Sequence, residues 1–202
     1  MRPLLGGSGG RACLFVCDVQ ERFRPLIHRF PAVLRSSRAL IKGATALSLQ
    51  VVVTEQNPTK LGSTVHELAP LLAASRSSVF AKMRFSMCTP EVLAELSDAA
   101  HVVLCGIEAH VCVAQTAYDL LERGVAVHVV VDGVSSQRAG DRAVALAALA
   151  AAGASLTTTE AVLFALLGGA EHKAFKDVQR VAIDFASETR DAPPGEGLDA
   201  LA

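Results

Sequence analysis

Residues 12–17 read ACLFVC, six apolar residues in a row with no polar position between them. A strand with one wet face alternates, so an unbroken run of this length fits a strand covered on both faces. Residues 50–54 (QVVVT), 101–105 (HVVLC) and 125–131 (VAVHVVV) repeat the pattern, and 78–82 (SVFAK) and 154–156 (ASL) are weaker versions of it. Longer segments of helical character lie between them. Residues 31–49 carry Val33, Leu34, Leu40, Ile41 and Leu47 at helical spacing. Thr89-Pro90 opens a helix with a capping hydroxyl and a first-turn proline, and further helices are expected over 109–123, 141–152, from Thr158 or Thr159 to Leu167, and over 171–185. Strands alternating with helices predict an α/β domain: a parallel sheet of about six strands with helices on both faces. One domain is expected over residues 12–187, after a flexible N-terminus at 1–11 and before a disordered tail at 188–202 rich in Pro and Gly.

The chain has 202 residues, 51% hydrophobic and 19% charged, which excludes disorder for most of it. Nineteen Lys plus Arg against twenty Asp plus Glu leave a net charge of -1, with no Trp and a single Tyr, Tyr118. Nucleic acid and anionic membranes call for a basic surplus, and base stacking calls for aromatics, so a small molecule is the expected partner, without nucleic acid or membrane. The longest purely apolar run, residues 143–152, is half the length of a membrane span, which needs about 20 residues. The N-terminus lacks the apolar core of a signal peptide, and five cysteines without C-x-x-C spacing argue against a disulfide framework or a zinc site. A reduced, intracellular compartment follows, cytoplasmic in the first instance with a mitochondrial location left open.

In an open α/β sheet, ligands bind beyond the carboxyl ends of the strands. Three reactive side chains fall there. Asp18 follows the first strand, Lys82 closes the third, and Cys112 lies just past the fourth, in the first turn of the next helix. Together they can make a nucleophilic site. Each has a plainer reading: a turn-capping Asp, a solvated Lys, a small buried Cys. The plain reading holds for Cys13, Cys17 and Cys105, inside apolar strands, whereas a helix N-terminus at Cys112 favours a thiolate. Cys88 stays unassigned. His110 is two positions from Cys112 and so not on the same helix face, and His128 reads as a hydrogen-bonded structural residue.

The segments FVCDVQERF (15–23), AKMRFSM (81–87) and GIEAHVCVAQTA (106–117), with TEQNPTKLG (54–62) and VVVDGVSS (129–136), resemble the isochorismatase-like cysteine hydrolases. The resemblance covers residues 12–185 and is nearest to the isochorismatase domain-containing proteins. It implies a three-layer Rossmann-like fold with strand order 3-2-1-4-5-6, and a catalytic Asp18, Lys82 and Cys112. It also implies a cis peptide at Ile107-Glu108 that would turn the backbone N–H groups of Glu108 and Cys112 into an oxyanion hole. Family members usually assemble, so a homo-oligomer is expected.

Two departures bear on the chemistry. The nicotinamidases of the family hold a metal after the second strand, where this chain reads Thr54-Glu55-Gln56-Asn57 with no His before His66, so neither metal nor other cofactor is expected. Isochorismatases proper lack the nucleophilic Cys that is present here. The expected activity is therefore hydrolysis of a small amide, ureido or related carbonyl compound through a Cys112 thioester, with Phe23, Gln56, Phe85 and Met87 as the pocket wall. The alternative is a protein-interaction module that keeps the fold with little or no catalysis.

Overall fold

A computed structural model of the chain describes residues 12–96 and 99–190. The expected N-terminal segment, and the expected tail from residue 191 onward, lie outside the described residues.

The elements run in the order β1 (Ala12–Cys17), a 3-10 turn (Glu21–Phe23), α1 (Phe30–Ala46), β2 (Gln50–Gln56), α2 (Pro58–Leu61), α3 (Ala69–Ala73) and β3 (Ser77–Lys82). Then follow α4 (Pro90–Leu96), β4 (His101–Ile107), a π-helical turn (Ala109–Val113), α5 (Ala114–Glu122), β5 (Ala126–Ser135), α6 (Ala139–Ala151), β6 (Ser155–Thr157), α7 (Thr159–Leu167) and α8 (Phe175–Arg190). The six strands form one sheet in the order 3-2-1-4-5-6, and every pair is parallel.

The unbroken apolar run of β1 has the predicted cause. Cys13, Phe15 and Cys17 point to a core shared with Val92 of α4, Leu120 of α5 and Leu146 of α6. Leu14 and Val16 point to the opposite core, against Val33, Leu40 and Ile41 of α1 and Val162 of α7. All six residues of β1 are buried, so a polar side chain at any of them would lose its water without a partner. α8 packs outside this second layer, on α1 and α7. It begins at Phe175 rather than near residue 171 and continues to Arg190, past the boundary expected at 187.

Two local departures matter because they build the site. β5 extends to Ser135 instead of stopping at Val131. Asp132-Gly133 resembles a turn, but it forms a bulge: the pairing with β4 slips from Leu104↔Val129 to Gly106↔Val134. Gly133 fits there because a Cβ would meet Ser36 Oγ at 2.4 Å. Buried Arg142 of α6 braces the bulge, donating to the carbonyls of Val131 and Val134. The helix expected from residue 109 opens instead with the π turn, in which the Val113 N–H reaches back to the Glu108 carbonyl at 3.3 Å. Single π turns in helices cluster at functional sites.

Candidate active site

The carboxyl ends of β1, β2 and β3 bring the first group together. Gln56 and Lys82 are in register at the ends of neighbouring strands. Asp18 follows β1 in left-handed backbone conformation (φ 56°), which Asp tolerates better than most residues. Its N–H donates to the Thr54 carbonyl at 3.1 Å. The Lys82 ammonium donates to Asp18 Oδ2 at 2.7 Å, Gln56 Oε1 at 2.8 Å and the carbonyls of Phe85 and Arg84 at 2.8 and 3.2 Å. Thr54 Oγ1 donates to Asp18 Oδ1 at 2.8 Å, and the Cys17 thiol donates to Asp18 Oδ2 at 3.5 Å.

Burial alone would lower the Lys82 pKa, but the charge interactions with Cys17, Asp18 and Cys112 and the hydrogen bond to Asp18 outweigh it and hold the ammonium above the ordinary lysine value. Lys82 is therefore a fixed positive charge, and Cys112 is near enough for a thiolate there to act on it.

Cys112 sits in the π turn, 6% exposed, and lines a cleft of about 530 Å³. Phe23, Leu61 and Phe85 supply apolar wall, while Glu108, His110 and Asp141 supply polar wall. Gln56 lines the same cleft while its side-chain oxygen holds Lys82, so it joins the buried ion pair to the open space. The structure thus brings Asp18, Lys82, Cys112, Phe23, Gln56 and Phe85 to one place.

Two expectations are corrected. Met87 is fully buried in the core beneath α4 and α5, with its N–H donated to Thr116 Oγ1 at 2.9 Å, and does not line the cleft. An apolar side chain between Ser86 and Cys88, both also buried, is core rather than wall. The Ile107-Glu108 bond is trans, as are all the described peptide bonds. The chain turns here through φ angles instead, 131° at Gly106 and 56° at Glu108, and the ground for placing a Glu108 N–H in an oxyanion hole goes with the cis bond.

Several residues of the site were not singled out from sequence. Gln20 is fully buried and clamps the loop after β2: its amide donates to the carbonyls of Gln56 and Gly62 at 3.0 and 2.6 Å, and its oxygen accepts the Gln56 N–H at 2.8 Å. Gln20 lies between Val19 and Glu21 just past β1, and no pattern of residues there singled it out. On the far wall, Glu108 Oε1 accepts from Gln137 at 2.9 Å, and His110 Nδ1 lies 3.0 Å from Ser136 Oγ and 3.4 Å from Glu108 Oε2. Ser136 and Gln137 arrive there through the extended β5, which no strand pattern announced. His128 is the structural residue expected, stacked on His101 with 3.1 Å between ring nitrogens.

Glu21, His66 and Glu67 bring three potential metal-ligand atoms within 4.8 Å of one another. Their geometry is that of an ion-pair network: Arg24 donates to Glu21 at 3.1 Å and to Glu67 at 2.7 Å, and His66 meets Glu21 at 3.0 Å. Hydrogen bonds from Arg24 and His66 hold Glu21 at a pKa of about 2.

The chain is similar to known proteins over most of its length. Residues 12–161 match the isochorismatase domain. The chain belongs to the isochorismatase family. This isochorismatase-family chain is 43% identical over 189 residues to Isochorismatase domain-containing protein 2 of Xenopus laevis, covering 92% of this chain and 90% of that one. It is similar to the solved MAR1 ribonuclease of Caenorhabditis elegans, with a TM-score of 0.87, 46% identity and 96% of each chain covered. The YcaC gene product of Escherichia coli, described as an octameric hydrolase of unknown specificity, shares the fold at a TM-score of 0.79 and 20% identity, covering 94% of this chain and 97% of that one. No described helix is long and apolar enough to cross a membrane.

Proposed function

We propose that the protein is a cysteine hydrolase of small amide, ureido or related carbonyl compounds. The observation that carries this reading is a thiol at the wall of a cleft beside a buried carboxylate–ammonium pair, Asp18 and Lys82. Asp18 takes the Cys112 proton while Lys82 holds the carboxylate in place and offsets the negative charge of the thiolate. Cys112 Sγ attacks the carbonyl carbon, the C–N bond breaks, and the proton held by Asp18 goes to the departing nitrogen. Water, deprotonated by Asp18, then cleaves the thioester and returns the thiol. The Cys112 N–H, at the start of the helix, is the donor assigned to the tetrahedral oxyanion. Phe23 and Phe85 favour a compact apolar or planar substrate. Assembly into a homo-oligomer is part of the proposal, supported by the octameric relative.

The test is a screen of small amides and carbamoyl compounds with intact-mass detection of an acyl adduct on Cys112. A Cys112 adduct and loss of turnover in Cys112→Ala, with no effect of EDTA, are expected. Turnover that survives in Cys112→Ala contradicts the mechanism.

The similarity to a protein described as a ribonuclease favours a second reading, cleavage of RNA, against the expectation that nucleic acid is not a partner. A net charge of -1 and the carboxylates of Glu108 and Asp141 in the cleft oppose phosphate binding. RNA cleavage that falls with salt and survives in Cys112→Ala would establish this reading in place of the first.

A further inference from the structure

Cys17 is an inert core thiol by its place in β1, yet its surroundings are those of the candidate site. It ends β1, it is fully buried, and its thiol donates to the same Asp18 oxygen that Lys82 holds. Cys17 and Cys112 belong to one buried cluster, and Cys112 is among the neighbours that raise the Cys17 pKa. The close approach of β4 to Cys17 depends on Gly106, its in-register neighbour, where a Cβ would stand 2.2 Å from the Cys17 carbonyl and 2.7 Å from the Cys17 Cβ. Nothing in the proposed hydrolysis uses this second thiol.

We infer that Cys17 and Cys112 form a peroxide-responsive pair, in which Cys112 reacts first and Cys17 closes a reversible disulfide with it. The unequal exposure assigns the roles. Cys112 reaches the cleft and Cys17 does not. Burial, then the neighbouring Cys112 and the charge of Asp18, push the Cys17 thiol well above its ordinary pKa, so it stays protonated and waits.

The Cys112 thiolate attacks one oxygen of hydrogen peroxide or an alkyl hydroperoxide. The O–O bond breaks, the sulfur is oxidised to the sulfenic acid, and the departing oxygen leaves as water or an alcohol after taking a proton from solvent. Cys17 Sγ then attacks the Cys112 sulfur. Its proton passes to Asp18 and on to the displaced hydroxide, which leaves as water as the S–S bond forms. The disulfide blocks the nucleophile and protects it from irreversible oxidation to the sulfinic acid, and a dithiol restores it.

The inference rests on the proposed function only in taking Cys112 as the reactive thiol. The experiment treats the reduced, full-length protein with hydrogen peroxide and then maps its cysteines by mass spectrometry. Expected are a Cys17–Cys112 cross-link and a fall of about tenfold or more in iodoacetamide labelling of Cys112, reversed by dithiothreitol. In Cys17→Ser, with Cys17→Ala as a second variant, Cys112 should proceed to the sulfinic acid and dithiothreitol should no longer restore it. The wild-type cross-link decides the matter even where a variant folds poorly. Oxidation of Cys112 without a cross-link to Cys17 overturns the inference and leaves Cys112 as the reactive thiol. Failure of Cys112 to react with either peroxide or iodoacetamide, while other cysteines do, overturns both.

Discussion

The Lys82 ammonium and the Asp18 carboxylate stand 2.7 Å apart with side chains 0% and 2% exposed, at the ends of strands that are not neighbours in the sheet. Both charges are almost entirely withdrawn from bulk solvent, so each depends on the other and on the polar ring around them. Removing one partner strands a buried charge, at a cost of ~3–5 kcal/mol, whereas removing both does not. Asp18→Asn and Lys82→Met should each lower the urea midpoint strongly, and the double variant should lose much less than the sum. Additive losses would show that the two groups do not depend on each other.

Gly106 should tolerate no side chain. Its φ of 131° disfavours L residues, and a Cβ would meet the Cys17 backbone, which cannot move out of a buried central strand. Gly106→Ala should destabilise the fold by ~3 kcal/mol or more and slow Cys112 labelling in whatever fraction stays folded. A stability within experimental error of the parent would contradict the packing described between β1 and β4.

His128 predicts an acid sensitivity with a defined window. Burial, and then the neighbouring His101, hold its pKa at about 4, below the ordinary 6.5. Above pH 6.5 the ring is neutral whether the chain is folded or not, and it contributes nothing to the pH dependence. Between 6.5 and 4 the unfolded chain binds the proton and the folded chain does not, so stability falls with pH by on the order of 3 kcal/mol and levels off below the folded value. Urea midpoints across this range should show a steeper fall for the parent than for His128→Gln. Parallel profiles would show that His128 is not the group responsible.

Much of this architecture was readable from residues alone, for identifiable reasons. Strands buried on both faces leave continuous apolar runs, so β1, β2 and β4 were visible to within a residue or two. Asp18 and Lys82 were visible because an ionisable group at the end of a buried strand has few places to go. What stayed hidden depends on contacts between segments far apart in sequence. The bulge at Asp132-Gly133 reads locally as a turn, and only Arg142, ten residues on, holds it as strand. Met87 could not be told from a cleft residue by sequence, since the two environments want the same apolar side chain. The trans Ile107-Glu108 bond corrects a feature carried over from family resemblance, and no residue pattern in this chain had pointed to it.

The proposed hydrolysis requires Cys112 to be the reactive thiol, with Lys82 offsetting the charge of its thiolate. The rate of iodoacetamide labelling at each of the five cysteines, resolved by peptide mapping at neutral pH, tests it without knowledge of the substrate. The other four thiols are all buried, and burial pushes Cys13 and Cys105 up to about 12 and Cys17 and Cys88 above their ordinary values. Cys112, which alone of the five lines the cleft, should be labelled about tenfold faster than any of them, and Lys82→Ala should slow it, because a thiolate there loses its cationic neighbour. Labelling of Cys112 no faster than Cys88, or a rate indifferent to the loss of Lys82, would contradict this reading.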